Sequence, residues 1–265
     1  MLKTHKATLE SFGKKLEDKQ KAWPSLDVLM AAKPPTWDTL RELSEELVAN
    51  NQLVIVLSEG LLEVTLRAAH SILEPLAPHH PGFSLCFVSS SLSADILTTL
   101  CRKIRGKRVS LLLAFHGEPS SRLLWCFEQL YSQLALGRRM EEVQRRVVVA
   151  ARKGWLEWAK TNKFRCLSLP ERSSGRYLFF SEPVALTLML AGVPAWQCVE
   201  GGRSLVRTFD KKAGLADSLL AYSALREVQL GESARESLLL PEETFPDFAR
   251  WGRLLSEDSR QEFTE

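Results

Sequence analysis

Between residues 53 and 170 the chain repeats one pattern: a short, unbroken apolar run, then a longer stretch with helical periodicity. The runs are LVIVLS (53–58), FSLCFVS (83–89), VSLLLAF (109–115), RRVVVAA (145–151) and FRCLSLP (164–170). None alternates apolar with polar residues, so each reads as a strand covered on both faces, as strands of a parallel sheet are. Helices are expected at about 61–76, 91–104, 120–135 and around 155–158. Strand–helix alternation with right-handed crossovers predicts an α/β fold: a three-layer α/β/α sandwich on a five-stranded parallel sheet, flavodoxin-like.

The flanks differ. Residues 1–38 read as a charged helical leader ended by the two prolines of KPPTW, after which Trp37-Asp38-Thr39-Leu40 opens an amphipathic helix to about Ala49. Downstream, Ser181 with Glu182 and Pro183 in the first turn starts a helix that Gly192 ends. Further helices are expected at about 195–208 and 214–229, a strand at 236–241, and a last helix through FARWGRLLSEDS. The expected division is a leader (1–38), the α/β domain with its extra C-terminal helices (39–230) and a partial second-domain segment (231–265).

Composition narrows the function. With 35 basic and 32 acidic residues, net charge +3, no nucleic-acid-binding surface is implied. The densest basic cluster, Lys103, Arg105, Lys107 and Arg108, falls between two elements and reads as a solvated turn. Five cysteines, scattered without a C-x-x-C pair or a zinc-type cluster, point to a reducing compartment and to no metal or cofactor. A charged N-terminus without a signal-peptide core, and no apolar run of about 18 residues, predict a cytoplasmic chain without a membrane span.

In open α/β sheets ligands sit at the carboxyl ends of the strands. Here those positions hold Ser58-Glu59-Gly60 after the first run and His116-Gly117-Glu118-Pro119-Ser120-Ser121 after the third. Further on, LPERSSGRYLFFSEPVALTLMLAGVPAWQCVEGG (169–202) resembles the phosphoglucose isomerase family, whose segment has a Gly-Gly-Arg-[Phe/Tyr]-Ser loop, a helix ending in Ala-Gly and a helix finishing in Gly-Ala. Gly175, Arg176, Tyr177, Gly192 and Gly201 match without a gap. The five strands match the family's first sugar-isomerase (SIS) domain in order. LLLPEETFPDFARWGRLLSEDS looks like the start of its second, through Phe248, Trp251 and Leu255.

The resemblance implies an aldose–ketose isomerisation between C1 and C2, which needs a carboxylate base and oxyanion stabilisation. It also implies a phosphate anchored by hydroxyls and amides at a helix N-terminus. On that basis Arg176 would stabilise the enediolate, and Asp258, or Glu257 after a one-residue slip, would stand at the base. Ser58, Glu59, Gly60, His116, Gly117, Glu118, Ser120, Ser121 and Gly175 would face the sugar phosphate. The departures are large. Glu59 stands in a glycine-rich turn, and Glu118 with Pro119 replaces a hydroxyl-rich phosphate loop. One unit charge about 4 Å from another, at an effective dielectric near 20, is opposed by about 4 kcal/mol. The family's ring-opening histidine and C-terminal lysine have no counterpart.

The expectation is therefore an SIS-type module that binds a sugar or sugar phosphate with degraded catalytic and phosphate loops. One alternative is a glucose-6-phosphate/fructose-6-phosphate isomerase completed by a complementing second-half chain. Another is a cleft for an uncharged or cationic ligand. Half a domain leaves apolar area uncovered, so docking back on the SIS domain or a homodimer is expected.

Overall fold

The computed structural model describes residues 34–73, 80–171, 174–210 and 243–261. Helix α1 (Pro34–Asn50) leads into β1 (Leu53–Ser58), α2 (Gly60–Leu73), β2 (Ser84–Ser89), α3 (Ala94–Ile104) and β3 (Val109–Ala114). Then come α4 (Ser121–Ala135), a short α5 (Met140–Arg145), β4 (Val147–Ala151), α6 (Lys153–Thr161) and β5 (Arg165–Ser168). A 3₁₀ turn (Gly175–Tyr177), α7 (Glu182–Leu190), α8 (Ala195–Asp210) and α9 (Pro246–Gln261) complete the described chain.

The five strands form one sheet in the order β2-β1-β3-β4-β5, every pair parallel. The continuous apolar runs have their reason in the two cores. Along β1, Val54 and Val56 enter one cluster while Ile55 and Leu57 enter the other. Leu112 and Leu113 of β3, and Val148 and Val149 of β4, divide in the same way. Leu47 of α1, Leu66 of α2 and Leu186 of α7 close the first face; Leu97 of α3, Leu130 of α4 and Ala159 of α6 close the second. The three-layer sandwich follows directly from strands that are apolar on both sides.

The compact unit built on this sheet comprises Lys33–Ala195 and Leu240–Glu265. From Trp196 to Leu239 the chain belongs to a separate unit, of which α8 is the described part. Within the sheet unit, α9 packs along α2. Its Trp251 lies 5.9 Å, centroid to centroid, from both Phe179 and Phe248.

Three local expectations change. Helix α1 begins at Pro34 and not at the expected Trp37, because proline at the first helical turn lacks only an amide with no intrahelical partner. Arg145 and Arg146 belong to α5 and the turn after it, not to a strand. Ser181 stands at the N-cap of α7, but its hydroxyl donates to the Leu178 carbonyl at 2.6 Å instead of capping. The expected leader up to residue 33, the helix at 214–229 and the strand at 236–241 lie outside the described residues.

Candidate functional site

The strand order reverses between β1 and β3, and a cleft of about 570 Å³ opens there at the carboxyl ends of the strands. Its wall takes one segment from each neighbouring strand end: Glu59 and Gly60 after β1, Ser90 after β2, His116–Glu118 with Ser120 after β3, and Arg152 after β4. Ser174 and Gly175 add the edge of the 3₁₀ turn.

Gly60 turns the chain from β1 into α2 at φ +65°, a left-handed conformation that a Cβ would strain. That sharp turn leaves the preceding Glu59 beside the N-terminus of α4. There Ser120 is the N-cap, its Oγ accepting the Leu123 amide at 3.1 Å. The Glu59 carboxylate takes the two donors that remain on Ser120: the amide gives to Oε1 at 2.8 Å and the hydroxyl to Oε2 at 2.6 Å. A helix N-terminus with a free amide and hydroxyl is a ready anion site. In this chain the anion is supplied from within.

Glu118 lines the cleft, as expected, and is also held from the side. It reaches sideways and accepts the Trp155 indole N–H at 3.0 Å. Trp155 in turn meets Phe115 and Trp158 edge-on, at 5.5 and 5.7 Å, tying the loop to the aromatic cluster on the second face. His116 Nε2 lies 3.2 Å from the Pro170 carbonyl, and Arg152 Nη2 stands 3.1–3.2 Å from both ring nitrogens. A neutral ring that donates from Nε2 and accepts at Nδ1 satisfies both neighbours. Burial pushes the His116 pKa below its ordinary 6.5, and the Arg152 charge adds to this, outweighing the Pro170 carbonyl and Glu171. A protonated ring at this position is thus disfavoured.

Of the other expected residues, Ser58 is fully buried at the end of β1, and Ser121 is the exposed first residue of α4; neither lines the cleft. Gly175 is where backbones meet. A Cβ there would stand 2.7 Å from the Leu62 nitrogen, and its carbonyl accepts the Thr65 hydroxyl at 2.9 Å. Arg176 points to α9: Nη1 donates to the Leu254 carbonyl at 2.8 Å, and its own carbonyl accepts the Trp251 indole N–H at 2.8 Å. Glu257 and Asp258 lie on the next turn of that helix, with their side chains outside the described residues.

Sequence reading missed Ser90 and Arg152, though each directly follows a predicted strand and so carried the signal. The Trp155–Glu118 bond joins separate elements and had none. Among the described residues, no group of three or more histidines, cysteines, aspartates or glutamates could hold a metal ion, and no helix is long and apolar enough to cross a membrane.

This architecture occurs in solved structures. A hypothetical protein from Thermus thermophilus, TT0462, superposes with a TM-score of 0.65 at 20% identity, over 86% of this chain and 54% of its own. A glucose-6-phosphate isomerase from Chlamydia trachomatis superposes with a TM-score of 0.52 at 14% identity, over 67% of this chain and 36% of its own. The fold is glucose-6-phosphate-isomerase-like. The chain spans about half the length of the first of these neighbours and about a third of the second. No protein-family model and no curated protein matches the sequence.

Proposed function

We propose that this chain is an SIS-type, non-catalytic sugar-binding module whose cleft takes the polyol body of a sugar and has given up its phosphate arm. The observation that carries this reading is the Glu59 carboxylate seated on the Ser120 amide and hydroxyl. A substrate phosphate bound at that helix end would have to expel a carboxylate and then sit beside its charge. A neutral sugar meets no such conflict. Carboxylate oxygens of Glu59 and Glu118 accept its hydroxyls, while Arg152, Ser90 and Ser174 donate.

A second reading keeps the isomerase chemistry and has another chain complete it. It draws on the position of Arg176, whose guanidinium grips the helix that carries Glu257 and Asp258 one turn further on.

Titration calorimetry with fructose and with fructose 6-phosphate, beside a coupled isomerase assay, tests the proposal. Fructose is expected to bind at least as well as fructose 6-phosphate, with no turnover. Turnover within about an order of magnitude of a typical 10 s⁻¹ enzyme defeats the non-catalytic reading. Fructose 6-phosphate binding much more tightly than fructose, and losing that margin in Ser120→Ala, defeats the lost phosphate arm.

A further inference from the structure

The opposite end of the sheet carries a second cavity, of about 470 Å³, within the range of small-molecule sites. It lies at the amino ends of β3 and β4, between the last turn of α1 and α5. Its floor is fixed by a buried polar network. The Ser110 hydroxyl donates to Asn51 Oδ1 at 3.0 Å, and the Asn51 amide donates to the Leu47 carbonyl at 2.8 Å. Half-buried Arg146 reaches Asn51 Oδ1 at 3.4 Å and is paired with Glu142 at 3.0 Å.

The charges above that floor are unequal. Four arginines and three glutamates line the cavity. Glu142 is occupied by Arg146 and Arg138, and Glu46 by Arg165. That leaves Arg108, Arg139 and Arg145, exposed and with no side-chain hydrogen bond or ion pair among the described residues, against Glu141 alone. Several arginines lining one concavity suit a compact, multiply charged oxyanion, which guanidinium groups can grip through paired N–H donors. Nucleic acid fits less well, because the basic residues face one pocket rather than a stripe and the whole chain carries only +3.

We propose that this cavity is a binding site for a small phosphorylated anion carrying two or more phosphate charges, separate from the sugar cleft at the other end of the strands. Arg108, Arg139 and Arg145 are its ligands, and Arg146 is the fixed base on which they close.

The probe is inorganic pyrophosphate, titrated into the full chain by calorimetry at low salt. Single-site binding is expected, weakening about tenfold for each of Arg139→Ala and Arg145→Ala, as for one lost charge-assisted bond. Arg108→Ala should act likewise. The unliganded melting temperature should stay unchanged in all three, since these side chains are exposed and unbonded. Arg105→Ala, at a residue that does not line the cavity, should bind as the parent does, and so should Ser120→Ala. The assignment is overturned by absence of binding, by equal weakening in Arg105→Ala, or by loss of binding in Ser120→Ala. An oligonucleotide that outcompetes pyrophosphate with a salt slope of several phosphates overturns it as well.

Discussion

Replacing Glu59 with alanine separates the contact it makes at the α4 terminus from the exclusion of an outside anion that we propose for it. The carboxylate makes two charge-assisted hydrogen bonds to Ser120, at 2.8 and 2.6 Å, and lies at the positive end of a fifteen-residue helix. Bonds to charged groups contribute about 1.5–3 kcal/mol each when shielded, and a charge at a helix terminus about 0.3–1 kcal/mol. The Ser120 end is exposed, so water replaces much of what is lost, and a net destabilisation of about 1–2 kcal/mol is expected. For a domain of this size that lowers the melting temperature by about 3–6 °C. The same change leaves the Ser120 amide and hydroxyl unoccupied. Fructose 6-phosphate should therefore bind Glu59→Ala at least about tenfold more tightly than the parent, once a repulsion of order 4 kcal/mol is reduced by screening. Melting curves with fructose 6-phosphate and with fructose read both effects, and parallel curves for the parent cancel any contribution from the arginine-lined cavity. An unchanged melting temperature, together with equal fructose 6-phosphate stabilisation of parent and variant, refutes the reasoning.

Gly175→Ala would drive a Cβ to within 2.7 Å of the Leu62 nitrogen, where only backbone can yield. We expect a loss of about 1–3 kcal/mol in urea denaturation, and an unchanged midpoint would show that the 3₁₀ turn is not so tightly seated. Because the folded His116 has its pKa lowered by burial, the unfolded chain gains a proton that the fold refuses as pH drops through 6.5. His116→Gln should therefore flatten the loss of stability between neutral pH and about pH 5, and an identical pH profile would contradict the buried neutral ring. Glu182, at the start of α7, accepts the Ser168 amide at 2.8 Å, and burial raises its pKa against that bond. A raised carboxyl pKa favours folding below the unfolded value and costs stability as pH rises through the folded one. Glu182→Gln keeps an acceptor and should be the more stable chain at neutral pH, with the margin closing on acidification; a constant margin would rule this out.

The sheet was legible because its determinant is local. A run such as VSLLLAF has no continuous polar face to turn to water and is too short for a buried helix, so it reads as an inner strand, and β3 ends one residue before its predicted limit. Helix α5 escaped notice because six residues make too little periodicity to register, and its arginines looked like the start of the next strand. The site was half legible. Its loops follow from strand ends, but which acid faces the helix terminus does not. Glu118 belongs to the loop and looked like the intruder; Glu59, 61 residues away from Ser120, reaches it because β1 and β3 are neighbours and Gly60 turns the chain sharply. Arg176 shows the same limit. Its motif was visible, yet its grip on Leu254 spans 78 residues and depends on how α9 packs.

Because Glu59 is covalently part of the wall it occupies, it acts as a tethered competitor whose effective concentration does not fall on dilution. A short flexible tether that spans the gap holds such a group at an effective concentration of the order of millimolar, and the single turn here holds it closer. On the proposed reading, phosphate, sulfate or a sugar phosphate arriving from solution would have to displace this tethered group. The choice between a charged and a neutral ligand would then be written into the chain itself.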